Sequence, residues 1–343
     1  MNELTSIDAV DREMLQWLQD EFPIERRPWK TGAKKLGISE QEVLARVQRL
    51  STVGIIRNLQ TFVNIKKLRS GKSTLVAMMV SEADIERVVT LVNEYPRVTH
   101  NYLREHAYNL WFTISERDEQ ALHRTLDELK RRTGVPDSAI LDLRTVRVFK
   151  VDVRFQLTGR GGGGTAATRK ESRPGHLPLD EIDQILLRIT QEGIPLVKEP
   201  FQMIAGEAGI YQDEVIQRLS NLYQSGFIKR IGISINQRKL GIVANALVAW
   251  KIPCDSLEIM GARLSSFPEV THCYERSTVP GTWEYNIFTV LHGYDHQAVE
   301  KIVKRLSDTL VIRDYVILFS TKQFKRTSMI HQIPQDYVSI SSS

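Results

Sequence analysis

The sequence predicts an α+β fold in which one unit is written twice, each copy a winged helix-turn-helix followed by a ferredoxin-like βαββαβ domain. The first observation behind this is an internal repeat: sliding the halves by 172 positions superimposes Asp8 and Asp11 on Asp180 and Asp183, Gly37 on Gly209, Arg46 on Arg218, Gly54 on Gly226 and Asn64 on Asn236. The second is the start of each copy, where segments of helical spacing are separated by glycine and proline. The third is the later part of each copy, where strand-like and helix-like stretches run in the order β-α-β-β-α-β.

In the first copy, Asp8 to Gln19 carries Val10, Met14, Leu15 and Leu18 at helical spacing with an acidic start. A second helix is expected from Lys30 to Leu36, ended by Gly37. Ser39 and Glu42 make a capping box for a third, Glu40 to Ser51. Gly54 then breaks the chain before Ile55 to Leu59, a strand leading to a turn near Asn64, which completes the winged motif. The second part of the copy reads as strand Leu75–Ser81, helix Ala83–Tyr95, strands Val98–Leu103 and Tyr108–Ser115, helix Asp118–Thr133 and a closing strand Leu141–Phe155. In the second copy, Ala246–Trp250, Ser256–Phe267, Val270–Glu275, Trp283–Leu291, His296–Leu306 and Val316–Lys325 repeat that order.

The expected domains are a winged helix-turn-helix over 1–70, a ferredoxin-like domain over 71–158, a flexible linker over 159–176, and their counterparts over 177–242 and 243–330, with a tail over 331–343. The linker reading rests on Gly161 to Gly164 and the small and charged residues after them, a composition that cannot bury a core. Tethering holds like halves at roughly millimolar effective concentration, so an internal pseudo-dimer is expected. Assembly beyond it is left open.

Composition excludes some classes. An apolar fraction of 42% and a charged fraction of 25% are those of a soluble globular protein. A formal charge of +5 suits nucleic acid or a polycarboxylate without choosing between them. The two cysteines, Cys254 and Cys273, lack metal-ligand spacing and a disulfide framework, which favours a reducing compartment. No signal-peptide core opens the chain and no apolar run reaches bilayer length, so a cytoplasmic protein without a membrane partner is expected.

Two constellations carry chemistry. The helix Glu40–Ser51 bears Gln41, Arg46, Gln48 and Arg49, a candidate DNA-reading face, with Arg57 nearby. Its counterpart offers Gln212, Asp213, Glu214, Gln217 and Asn221, with Arg218 as the one base. A symmetric reader needs two competent helices, so a retained scaffold or dimerisation element is the better reading. The other constellation is His100, Tyr102 and Arg104, which alternate along a strand and therefore share a face. His106 comes next at the turn, and Tyr108 and Asn109 begin the returning strand. The set recurs as His272, Tyr274 and Arg276, with Tyr285 and Asn286 after an insertion. If the two sheets face each other, both sets converge on interface cavities. Arginine holds carboxylates bidentately, and histidine moves a proton near neutral pH. Together they suit an anionic substrate in proton-coupled chemistry. Glu105 and Glu275 read as partners of arginines, and a thiolate metal ligand at Cys273 is the weaker reading of that residue. Gly161 to Gly164 is no phosphate loop, because no Lys-Ser/Thr comes after it.

The domain order is that of the Lrp/AsnC regulators. At the run from His100 to Thr113 (HNYLREHAYNLWFT) and the closing run from Arg147 to Phe155, the first copy resembles one subunit type of the siroheme decarboxylases, the Lrp/AsnC-like Ahb and Nir proteins. The second copy, from His272 to Gly293 (HCYERSTVPGTWEYNIFTVLHG), resembles the partner type, so the chain looks like a fusion of the D and L components. The resemblance implies removal of two acetate carboxyls from siroheme, giving 12,18-didecarboxysiroheme and carbon dioxide, in d-type heme or alternative heme biosynthesis. It implies no added cofactor, since iron enters with the substrate, and it leaves room for contact with other tetrapyrrole-pathway enzymes. On this reading His100 or His272 is the acid, Arg104 and Arg276 clamp carboxylates, and Tyr102 and Tyr274 orient them. His106 is a second acid or an axial ligand of the substrate iron, and Tyr108, Asn109, Tyr285 and Asn286 complete the substrate contacts. The runner-up is a heme-responsive or amino-acid-responsive Lrp-type regulator. A tetrapyrrole carrier without chemistry would share the same pocket.

Overall fold

A computed structural model describes residues 7–20, 22–64, 71–158 and 179–326. The expected linker and C-terminal tail lie outside them. The first copy forms α1 (Ala9–Asp20), α2 (Pro28–Leu36), α3 (Glu40–Thr52), β1 (Ile56–Val63), β2 (Lys72–Met78), α4 (Ile85–Asn93), β3 (Val98–Arg104), β4 (Leu110–Glu116), α5 (Glu119–Thr133) and β5 (Ile140–Val151). The second copy forms α6 (Glu181–Glu192), α7 (Pro200–Ala208), α8 (Gln212–Gln224), β6 (Ile228–Ile235), β7 (Ala244–Trp250), α9 (Leu257–Ser266), β8 (Val270–Arg276), β9 (Ile287–Gly293), α10 (His296–Leu310) and β10 (Tyr315–Arg326). The chain divides into two compact units, and the division cuts across the copies: one unit takes both helix-turn-helix segments, the other both βαββαβ segments.

In the helical unit the local signals act as expected. Pro28 and Pro200 open α2 and α7, where a missing N–H leaves nothing unpaired, and Gly37 and Gly209 end them at φ 68° and 69°. The Ser39 hydroxyl accepts from the Glu42 amide at 3.1 Å. The residues that repeat between the copies prove to be one ion-pair motif. Arg46 binds Asp8, Asp11 and Glu42, and Arg218 binds Asp180, Asp183 and Glu214. Arg49 adds a second bond to Asp11, which is buried. The expected wing is corrected. Among the described residues β1 makes no hairpin within its own copy and instead pairs antiparallel with β6, from Ile56↔Ile235 to Val63↔Ile228. A lone strand leaves its backbone groups unpaired, and the equivalent strand of the other copy satisfies them.

In the other unit eight strands close into a barrel in the order β10-β3-β4-β2-β5-β8-β9-β7. Each copy supplies a four-stranded sheet of split βαβ order, and its long last strand crosses over to the other copy. The first part of β10 pairs with β7 and its end with β3; β5 likewise pairs first with β2 and then with β8. So the sheets are joined at both edges, and among the described residues this unit leaves no free edge strand. Outward strand residues such as Val76 and Phe112, or Val248 and Leu291, pack against helix residues of their own copy such as Leu122 and Val303. Inward residues from both copies make a third apolar cluster, with Leu75, Trp111 and Leu143 from one and Leu247, Phe288 and Leu318 from the other. Trp283 to Asn286, expected to begin a strand, lie before β9 instead. Val279 and Trp283 exchange backbone hydrogen bonds around Pro280 and Gly281, the latter at φ 73°, a turn that delivers Trp283 into the inward cluster.

Candidate active site

Period-two alternation and register together settle which way each side chain faces. Tyr102 lies opposite Trp111 and His100 opposite Thr113, so both look inward with Arg104. Tyr274 lies opposite Phe288 and His272 opposite Val290, so the second triad looks inward as well. The intervening residues point outward. Asn101 bonds Asn93 in α4, and the buried Cys273 thiol donates to the Gly261 carbonyl in α9. Burial pushes that thiol up to about 12, which argues against a thiolate ligand there. β3 and β8 stand four strands apart around the eight-stranded barrel, so the triads occupy opposite walls.

Each triad is a ladder. The His100 and Tyr102 rings stack at 6.2 Å between centroids, and the Arg104 guanidinium sits 5.2 Å from the Tyr102 ring. The second copy gives 6.1 Å and 4.9 Å for the same contacts among His272, Tyr274 and Arg276. Both arginines are buried, at 6% exposure, and neither has an acidic partner among the described residues. Arg104 Nη1 donates to the Leu318 carbonyl at 2.6 Å. Arg276 Nη1 donates to the Leu143 carbonyl and the Thr145 hydroxyl, each at 3.0 Å. The Nε of each is buried without a hydrogen-bond acceptor among the described residues. Desolvation pushes both guanidinium pKa values down to about 10. Glu275, expected to serve an arginine, does so on the outer face, with Arg147.

The histidines differ. Thr271 gives its hydroxyl hydrogen to the Val290 carbonyl, so toward His272 Nδ1, 3.0 Å away, it can only accept. That leaves His272 Nε2 as the basic nitrogen. His100 Nδ1 lies 2.9 Å from the Thr99 hydroxyl, and burial, with Arg326 adding to it, pushes its pKa down to about 4. His106 Nδ1 accepts the Tyr108 amide hydrogen at 3.0 Å, so in the neutral ring Nε2 carries the proton. Placed this way the ring offers an N–H donor at Nε2. Its ring lies edge-on to Trp283 at 5.6 Å, and Trp283 in turn meets the rings of Tyr108 and Trp111.

Asn109 and Asn286 do not reach the triads. Asn109 bonds both backbone groups of Val80, and Asn286 both of Ile252. They clamp the segments by which the chain leaves β2 and β7. Tyr285 packs on Trp283 at 5.1 Å. One inward residue does not stand out in the sequence, His292 at the end of β9. It continues the alternation of Phe288 and Val290, the signal by which it could be found.

Models of known families match this chain over nearly its whole described length. An AsnC-like ligand binding domain matches 70–150 and 239–325, and a siroheme decarboxylase NirDL-like HTH domain matches 11–57 and 183–228. A siroheme decarboxylase from Hydrogenobacter thermophilus is 31% identical, over 92% of each chain. The chain belongs to the siroheme decarboxylase family. The siroheme decarboxylase NirDL subunit of Paracoccus denitrificans is 33% identical over 94% of this chain and 97% of its own. The crystal structure of a siroheme decarboxylase NirDL superimposes with a TM-score of 0.66 at 30% identity, covering 94% of both chains. A second NirDL structure, in complex with an iron-uroporphyrin III analogue, gives the same score at 28% identity over 96% of both. The Methanosarcina barkeri siroheme decarboxylase beta subunit, 44% identical, is matched over 99% of its own length by 44% of this chain, as one copy of the repeat would be.

Proposed function

We propose that this chain decarboxylates siroheme, removing two acetate carboxyls to give 12,18-didecarboxysiroheme. The observation that carries the reading is the pair of buried guanidiniums, Arg104 and Arg276, with orphaned Nε groups and no acidic partner of the protein's own among the described residues. A buried cation without a counter-ion is costly, and the carboxylates of an entering substrate would relieve that cost. An aromatic and aliphatic surface beside the arginines suits the apolar macrocycle. Tyr102 and Tyr274, stacked between histidine and arginine, keep each guanidinium in place.

Losing carbon dioxide breaks the bond between the acetate methylene and its carboxyl carbon. The electron pair stays on the methylene, delocalised into the pyrrole, and a proton completes the methyl group. His100 and His272 stand on the inward faces where such a proton is needed, and we assign them to its delivery. No cofactor of the protein's own enters this scheme, and iron comes with the substrate. Both cysteines are free, as in a reducing compartment such as the cytoplasm. The regulator reading is weaker because Arg46, the base that α3 and α8 share as Arg218, is engaged by carboxylates of its own copy. Anaerobic incubation of the protein with siroheme and mass analysis of the tetrapyrrole tests the proposal. Loss of two carbon dioxide molecules is expected, and tight binding with unchanged mass would overturn it.

A further inference from the structure

Register extends each triad's arginine into a row of inward side chains. In one row Arg104 lies opposite Ser320 on β10, the next position of β7 in register is Asn245, and Asn245 lies opposite His292 on β9. In the other Arg276 lies opposite Thr145, Thr145 bonds Ser73, and Ser73 lies opposite Ser115. The rows are related by the repeat and differ in chemistry. In the second the hydroxyls are engaged, with Arg276 donating to Thr145 and the Thr145 and Ser73 hydroxyls 2.9 Å apart, so that the Arg276 Nε is what it leaves without an acceptor. The first is open. Arg104 Nε, the Ser320 hydroxyl and the Asn245 amide oxygen are all buried without a hydrogen-bond partner. Arg326, opposite His100, adds a second guanidinium. No inward position of either row is acidic.

Resting on the decarboxylase reading, we infer that the half-site of Arg104, Ser320, Asn245 and His292 holds a departing carboxylate, with His292 joining His100 on that side as an acid that protonates the new methyl group. The opposite half-site, with Ser115 in the place of His292, has no such acid in its row. In the step R–CH2–COO⁻ + H⁺ → R–CH3 + CO2, His292 supplies the proton and is recharged from solvent. Burial pushes the His292 pKa down to about 3, and the charges of Arg326 and Arg104 add to it. Substrate carboxylates placed between them reverse that field and favour the protonated ring.

The test compares His292→Ala with Ser115→Ala in the full chain under anaerobic single-turnover conditions, reading tetrapyrrole mass, with siroheme absorbance as the measure of binding. His292→Ala is expected to slow at least one decarboxylation by about 100-fold or more while binding siroheme within a few-fold of wild type. Added imidazole should restore part of the rate, a rescue that a merely structural role would not show. Ser115→Ala, which removes no acid, should slow decarboxylation far less than His292→Ala. Full-rate loss of both carboxyls from His292→Ala, or an equal defect in Ser115→Ala, would overturn the inference. So would a slow His292→Ala that imidazole does not rescue; the conservative His292→Gln, if folded and equally slow, separates that result from a folding defect. If the wild-type protein leaves siroheme unchanged, the decarboxylase reading itself fails, which is a different result from any of these.

Discussion

Replacing Arg104 by methionine separates a ligand-binding arginine from a structural one. The guanidinium is buried, and its pKa, pushed down by that burial to about 10, reports the cost of keeping the charge there. At about 1.4 kcal/mol per pKa unit that cost is roughly 3 kcal/mol. Against it stand one hydrogen bond to the Leu318 carbonyl and the contact with the Tyr102 ring, together about 2 kcal/mol. Methionine fills much of the volume and removes the charge. The substrate-free variant should therefore lie within about 2 kcal/mol of wild type by urea unfolding, on the stabilised side if anything. Siroheme affinity, read by absorbance titration, should fall by about 1.5 to 3 kcal/mol, or roughly 10- to 150-fold, for the lost charge-assisted bonds. A substrate-free protein destabilised by more than about 3 kcal/mol, with unchanged affinity, would make Arg104 a structural residue and refute the reasoning.

The buried histidines set a pH dependence of stability. His100 and His292 have folded-state pKa values of about 4 and about 3, below the unfolded 6.5, so between those limits the unfolded chain binds protons that the folded one does not. Substrate-free stability should be intact above pH 6.5 and fall as pH drops toward 4, by up to about 3 kcal/mol for His100; a flat stability between pH 7 and 4.5 by denaturant titration would contradict this burial. Alanine at His100 and at His272, tested separately, should each lower product formation without loss of siroheme binding; full activity in both by chromatography of the product would remove them from the proton path.

Much of the fold is legible because it is written in local patterns. The 172-residue repeat, Gly37 and Gly209, and the Ser39 cap each act within a few residues of themselves. The shared inward face of His100, Tyr102 and Arg104 comes from strand alternation alone. Pairing partners are not legible. Nothing in Ile56 to Val63 says that its neighbour is Ile228 to Ile235, and nothing in β5 or β10 says where each leaves one sheet for the other. Long-range pairing is decided by the whole packed structure. The same holds for the amides of Asn109 and Asn286, which look like substrate contacts in the sequence and turn out to bind the backbone of Val80 and Ile252. Trp283 reads as a strand residue because the turn at Pro280 and Gly281 looks like a simple insertion. His292 escapes notice because it ends a strand otherwise rich in apolar residues.

The most direct measurement is an anaerobic time course of tetrapyrrole mass after mixing the protein with one equivalent of siroheme. The account predicts a species lighter by one carbon dioxide that rises and falls, followed by one lighter by two, with no added cofactor. A tetrapyrrole that stays bound at its original mass throughout would contradict it.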